Sequence, residues 1–135
     1  MKISAAKYYI IVNILFFTTF YILQGTTYLG EIIFLHIFAA PIVLFLRFYR
    51  SIFDLSHILK HRYRFIFEEH VWRWEITWSD STKLVSPICI FSASVNGIND
   101  LDVKEIVSKA KINLLFHFIS FVTLPLGYII ILALI

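Results

Sequence analysis

Residues 112–135 read INLLFHFISFVTLPLGYIIILALI, a run without a single Asp, Glu, Lys or Arg. A helix rising about 1.5 Å per residue needs about 20 apolar residues to cross roughly 30 Å of hydrocarbon, so this run predicts a transmembrane helix. Lys109 and Lys111 stand just before it, and no basic residue follows. The same vacancy recurs upstream. Nothing basic occurs from Tyr8 to Leu46, where two further long apolar runs lie.

Of the twelve Lys and Arg residues, Lys2 and Lys7 precede the first run and the remainder fall between Arg47 and Lys111. Membrane insertion keeps Lys and Arg on the cytoplasmic side, which predicts a cytoplasmic amino terminus and a periplasmic carboxyl terminus. On that topology Glu31 is the one acidic residue of nine to face outward. A chain of 135 residues that is 59% hydrophobic and 18% aromatic is too apolar for a soluble domain. The predicted fold is an all-α integral membrane protein. Residues 1–49 hold the first two transmembrane spans (about 8–23 and 32–49), 50–111 form a cytoplasmic insert, and 112–135 are the third span.

The first span carries Asn13, Thr18 and Thr19 as polar exceptions. No Ala-x-Ala-like site follows it at Gln24-Gly25-Thr26-Thr27, so it reads as an uncleaved anchor. The link from Gln24 to Glu31 suits a tight turn. Pro41 should kink the second span, which is short enough that a re-entrant hairpin of the first two segments is the alternative to two full crossings.

In the insert, Phe48, Ile52, Leu55, Ile58 and Leu59 recur at helical spacing among Arg50, Lys60, Arg62 and Arg64. That predicts the second span continuing into a basic amphipathic helix at the membrane surface. Trp72-Arg73-Trp74-Glu75-Ile76-Thr77-Trp78 alternates with the period of a strand, Ser79–Thr82 reads as a turn, and Lys83–Ser94 is rich in β-branched and aromatic residues. The expectation is a two-stranded hairpin with a tryptophan face, docked on the bilayer interface or a partner. After Asn96-Gly97, Asn99 or Asp100 should cap a helix that runs through Lys111 directly into the third span.

No ionisable Asp, Glu, Lys or Arg lies within a span, which argues against an ion pump or carrier. His36 and His117 suggest bis-histidine haem ligation. Counted from opposite membrane faces, however, they lie on the order of 12 Å apart along the normal, too far for one iron. The expected role of both is hydrogen bonding between helices, together with Asn13, Asn113, Ser120 and Thr123. His57 and His61, four apart, have no third ligand at a recognised zinc spacing, even with Glu68, Glu69 and His70 beyond. Cys89 stands alone and reads as a small buried hydrophobe. No cofactor, no nucleic-acid site and no catalytic motif is expected; the predicted partners are the lipid bilayer and another membrane-embedded protein.

Two stretches carry a resemblance. Lys7-Tyr8-Tyr9-Ile10 followed by Asn13-Ile14-Leu15-Phe16, and Lys111-Ile112-Asn113-Leu114-Leu115-Phe116 with Leu124-Pro125-Leu126-Gly127 downstream, resemble the first and last spans of the three-helix immunity proteins against pore-forming colicins. The resemblance implies a plasmid-borne protein of the bacterial inner membrane that meets the pore-forming toxin domain by helix–helix contact in the bilayer. The contact residues it suggests are Asn13, Thr18, Thr19, His36, Asn113 and His117, with Pro41, Pro125 and Gly127 shaping the helices. The tryptophan insert has no counterpart in that family. Trp72, Trp74 and Trp78 are therefore the residues on which a rival function would rest: conjugation or superinfection exclusion, or an accessory role in a larger membrane complex.

Overall fold

A computed structural model of the chain describes residues 4–23, 25–72 and 83–134. Five α-helices account for most of them: α1 (Ala5–Ile22), α2 (Leu29–Arg62), α3 (Arg64–His70), α4 (Ala93–Asn96) and α5 (Leu101–Leu134), with a 3-10 turn at Pro87–Phe91. Three of these, α1, α2 and α5, are long and apolar enough to cross a membrane. The chain divides into two compact units, Met1–Leu46 with Ile112–Ile135, and Arg47–Lys111.

The first unit is a three-helix bundle. Ser4 caps α1, its hydroxyl accepting the Lys7 N–H at 3.2 Å. Helix α1 has 18 residues, about 27 Å of rise, close to one hydrocarbon thickness. Helix α2 begins at Leu29, so Leu29, Gly30 and Glu31 belong to its first turn and not to the link, where the Glu31 carboxylate suits the positive end of the helix dipole. Between α1 and α2, Gly25 takes a φ of +86°, a conformation that other residues avoid. Contacts fix the helix directions. Phe16 meets His36, Phe45 meets His117, and Tyr9 and Phe16 meet Phe116 and Tyr128 respectively. Thus α2 runs antiparallel to α1 and α5, while α1 and α5 run parallel. Ile14, Leu15, Phe34, Leu35, Phe118, Phe121 and Ile129 are exposed around the outside. A bundle that is apolar on its outer face as well as inside, built of three helices long and apolar enough to cross a membrane, suggests a membrane protein.

Pro41 and Pro125 both lie inside unbroken helices. At 34 residues each, α2 and α5 rise about 51 Å, more than the roughly 40–45 Å of a bilayer with its headgroups, so each extends beyond its spanning part.

The second unit is organised around the α2 face on which Phe48, Ile52, Leu55 and Leu59 recur. All four are buried, which corrects the expectation of an apolar stripe laid on the membrane surface. Buried Ser56 sits on the same face. Its hydroxyl donates to the Ile52 carbonyl and accepts the Val85 N–H at 3.0 Å. Helix α2 stops at Arg62, and α3 starts one residue later, with Tyr63 at φ −135° between them.

The hairpin expectation is corrected in its second half. Val71 and Val85 form one antiparallel bridge, with the Trp72 N–H on the Leu84 carbonyl at 2.9 Å and the Ser86 N–H on His70 at 2.8 Å. The chain then leaves extended geometry at Pro87, whose fixed φ and missing N–H suit a helical first turn. Pro87–Phe91 is a 3-10 turn, and Ser92 caps α4 through the Val95 N–H. Trp74 and Trp78 lie outside the described residues.

Asn96 ties these short elements together. Its amide donates to the carbonyls of Ile90 and Ser92, and its oxygen accepts from Lys111 at 2.8 Å. Asp100 caps α5, Oδ1 receiving the Asp102 N–H at 2.9 Å, while Oδ2 receives Arg62 at 3.0 Å and the Tyr63 hydroxyl at 3.1 Å. Burial opposes ionisation of this carboxyl. The Arg62 guanidinium, the Asp102 and Val103 N–H groups and the Tyr63 hydroxyl outweigh it and hold its pKa below the ordinary 3.8. The stabilisation is therefore complete above pH 3.8 and is lost as pH falls through the lowered value. In an acid titration followed by limited proteolysis, the Arg47–Lys111 unit should resist cleavage down to pH 3.8 and loosen below it. Asp100→Asn should be less stable at neutral pH and show a flatter acid limb.

Candidate functional site

Three aromatic rings meet at the centre of the bundle. Phe16 sits six residues from the end of α1, His36 seven from the start of α2, and Tyr128 six from the end of α5. At about 1.5 Å per residue, each lies about 9–11 Å inside the same end of the bundle, so the three helices deliver one ring each to a common level. Phe16 and His36 stack with centroids 3.8 Å apart and planes 4° from parallel, and Tyr128 stands edge-on to Phe16 at 5.1 Å. The Tyr128 hydroxyl is 3.0 Å from His36 Nδ1. Phe20 joins the buried cluster, with Leu29, Ile32, Ile33 and Ile37 packed against it.

His117 acts at another level. Its Nδ1 lies 2.9 Å from the Pro41 carbonyl oxygen, which fixes Nδ1 as the donor nitrogen. Pro41 is five residues beyond His36, about 7.5 Å along α2. The two imidazoles thus take separate partners on different helices, as hydrogen-bonding cross-links between α2 and α5.

Between α1 and α5 lies an open cleft of about 210 Å³ lined by Tyr9, Asn13, Phe17, Thr123, Leu124, Gly127 and Tyr128. The Tyr9 and Thr123 hydroxyls meet across it at 2.7 Å. Asn13 is tied at its amide, which donates to the Tyr9 carbonyl at 2.7 Å. A Cβ added at Gly127 meets nothing within 4 Å, so this glycine leaves space beside the cleft.

The remaining predicted residues divide. Thr18 and Thr19 are exposed, each hydroxyl donating back to its own helix at Ile14 and Leu15. Asn113 is buried, and its Oδ1 has no hydrogen-bond partner among the described residues, as does His36 Nε2. Trp72 is exposed in the other unit. Phe17 and Tyr128 were not singled out from the sequence, and Tyr9 and Phe16 entered only within the stretch that carries the resemblance, because aromatics are abundant in every span. The matching distances of Phe16, His36 and Tyr128 from their helix ends are the signal that would have found the cluster.

In the second unit His70 Nε2 and the Ser94 hydroxyl lie 2.7 Å apart, a pairing with the look of a nucleophile and its base. Glu69 approaches the same Nε2, at 3.9 Å, and not the opposite nitrogen from which a third member orients such a ring. Burial pushes the Cys89 thiol up to about 12, an inert side chain at neutral pH.

Fold and site define a small helical protein with three helices long and apolar enough to cross a membrane and an aromatic–histidine core. No protein-family model, curated protein or solved structure matches the chain.

The stack and its hydrogen bond should be energetically coupled. Tyr128→Phe, which removes the hydroxyl alone, is expected to cost about 1 kcal/mol, and His36→Ala more. A double-mutant cycle in bicelles should give a coupling of about 0.6–1.7 kcal/mol. Strict additivity would show that the two side chains do not act as a pair.

Proposed function

We propose that the protein confers immunity to a pore-forming bacteriocin from within the bacterial inner membrane. The observation carrying this reading is the meeting of the two stretches that resemble the immunity family. Tyr9 and Asn13 from the first, and Leu124 and Gly127 from the second, line one cleft with Thr123 between them. The cleft offers hydroxyl, amide and small side chains on a lipid-facing bundle, the surface chemistry that packs transmembrane helices where hydrophobic burial gives no driving force. The protein acts by binding, not by catalysis. A helix of the toxin's pore-forming domain packs there as it inserts, and Phe16–His36–Tyr128 holds the bundle rigid behind it. The Lys and Arg distribution orients the molecule with its amino terminus and the Arg47–Lys111 unit in the cytoplasm and its carboxyl terminus in the periplasm.

Exclusion of an incoming conjugation or phage machine is the rival reading. The exposed Trp72 on an ordered unit of that size favours it.

A bacterium sensitive to pore-forming bacteriocins and expressing the chain should survive one member of a purified panel and die with the rest. Killing by every member of a broad panel would falsify the proposal. Gly127→Leu, which fills the cleft, should abolish survival while the protein still accumulates in the membrane. Trp72→Ala should retain survival under the immunity reading and abolish exclusion under the rival one. Orientation has a separate check, since alkaline phosphatase fused after Ile135 should be active; an inactive but stable fusion overturns the topology.

A further inference from the structure

The 3-10 turn Pro87–Phe91 is amphipathic in an unexpected sense. Cys89 and Ile90 fill the interior of the second unit, whereas Ile88 and Phe91 are 75% and 61% exposed. Side chains three apart in a 3-10 helix eclipse one another, so Ile88 and Phe91 present one apolar face. Together they make a small apolar spot on the surface of the unit.

The position of this face is fixed by Lys111. Its ammonium lies 5.7 Å from the Phe91 ring centroid and bonds Asn96, whose amide holds the Ile90 carbonyl of the same turn. Lys111 is also the last basic residue of α5, and the next residue begins the apolar run of 112–135. Within the Arg47–Lys111 unit the turn is therefore held beside the residue at which the charged part of α5 gives way to its apolar run. A cation flanked by apolar side chains matches the headgroup region, where lysine meets phosphate and aromatic rings meet the acyl boundary.

We infer that Ile88 and Phe91 form an interfacial anchor that seats the Arg47–Lys111 unit on an anionic bilayer surface, with Lys111 pairing to lipid phosphate. The inference rests on α5 being a span. Leu101 provides the internal contrast: it is 84% exposed but ten residues earlier on the same helix, about 15 Å from Lys111.

The test is hydroxyl-radical footprinting of the full chain in nanodiscs of phosphatidylethanolamine and phosphatidylglycerol, each residue normalised to its rate in the unfolded chain. Labelling of Ile88 and Phe91 should be slowed roughly tenfold against Leu101 and Phe65, because the headgroup–acyl boundary excludes water. Equal labelling of Ile88, Phe91 and Leu101, with Phe118 and Phe121 protected, overturns the anchor and leaves the span intact. Labelling of Phe118 and Phe121 as well removes the span and the anchor together. Protection that occurs in two-copy nanodiscs and vanishes in single-copy ones assigns the face to a second copy and also overturns the anchor.

Discussion

Inside lipid, apolar side chains have no reason to prefer a neighbouring helix to an acyl chain, so a bundle placed there depends on groups that hydrocarbon cannot satisfy. His36 is the foremost of these. An imidazole left facing acyl chains forfeits its hydrogen bonds, and the structure turns it inward against the Phe16 face and the Tyr128 hydroxyl. Because each of the three rings comes from a different helix, this contact sets depth and rotation for all of them. Tyr9 with Thr123, and His117 with the Pro41 carbonyl, then reinforce the register at other levels.

The second unit has an apolar interior of its own, with Ile52, Leu55, Leu59, Val85 and Ile90 fully buried, and its polar groups are used as joints. Ser56 receives the bridge segment, Asn96 binds the 3-10 turn to α4 and α5, and Asp100 serves at once as helix cap and as acceptor for Arg62 and Tyr63. Helices α2 and α5 contribute to both units.

What could be read from the amino-acid sequence followed the strength of the local signal. Long uncharged runs mark helices whatever their surroundings, and the continuation of α2 and α5 beyond their spans followed from the periodicity of 48–59 and the capping residues at 99–105. The Lys83–Ser94 segment misled because β-branched and aromatic residues also suit a buried turn. Pro87 and Ser92, a helix-start proline and an N-cap serine, were the opposing signals, and they prevailed. The cleft was only half legible. Asn13 and Gly127 stood out as unusual residues in apolar runs, but their meeting depends on the relative rotation of α1 and α5, which no local pattern encodes. Thr18 and Thr19 looked equally promising and are spent on their own backbone.

The openness at Gly127 bears on how such a surface can change over generations. The residues that determine the bundle, Phe16, His36 and Tyr128, are locked by mutual contact, so replacements there cost stability. Around the cleft the situation is reversed: a Cβ at Gly127 meets no neighbour, and Phe17 is exposed. Substitutions at these positions can therefore reshape the cleft while the protein continues to fold, so change can gather on one side of an unchanging core.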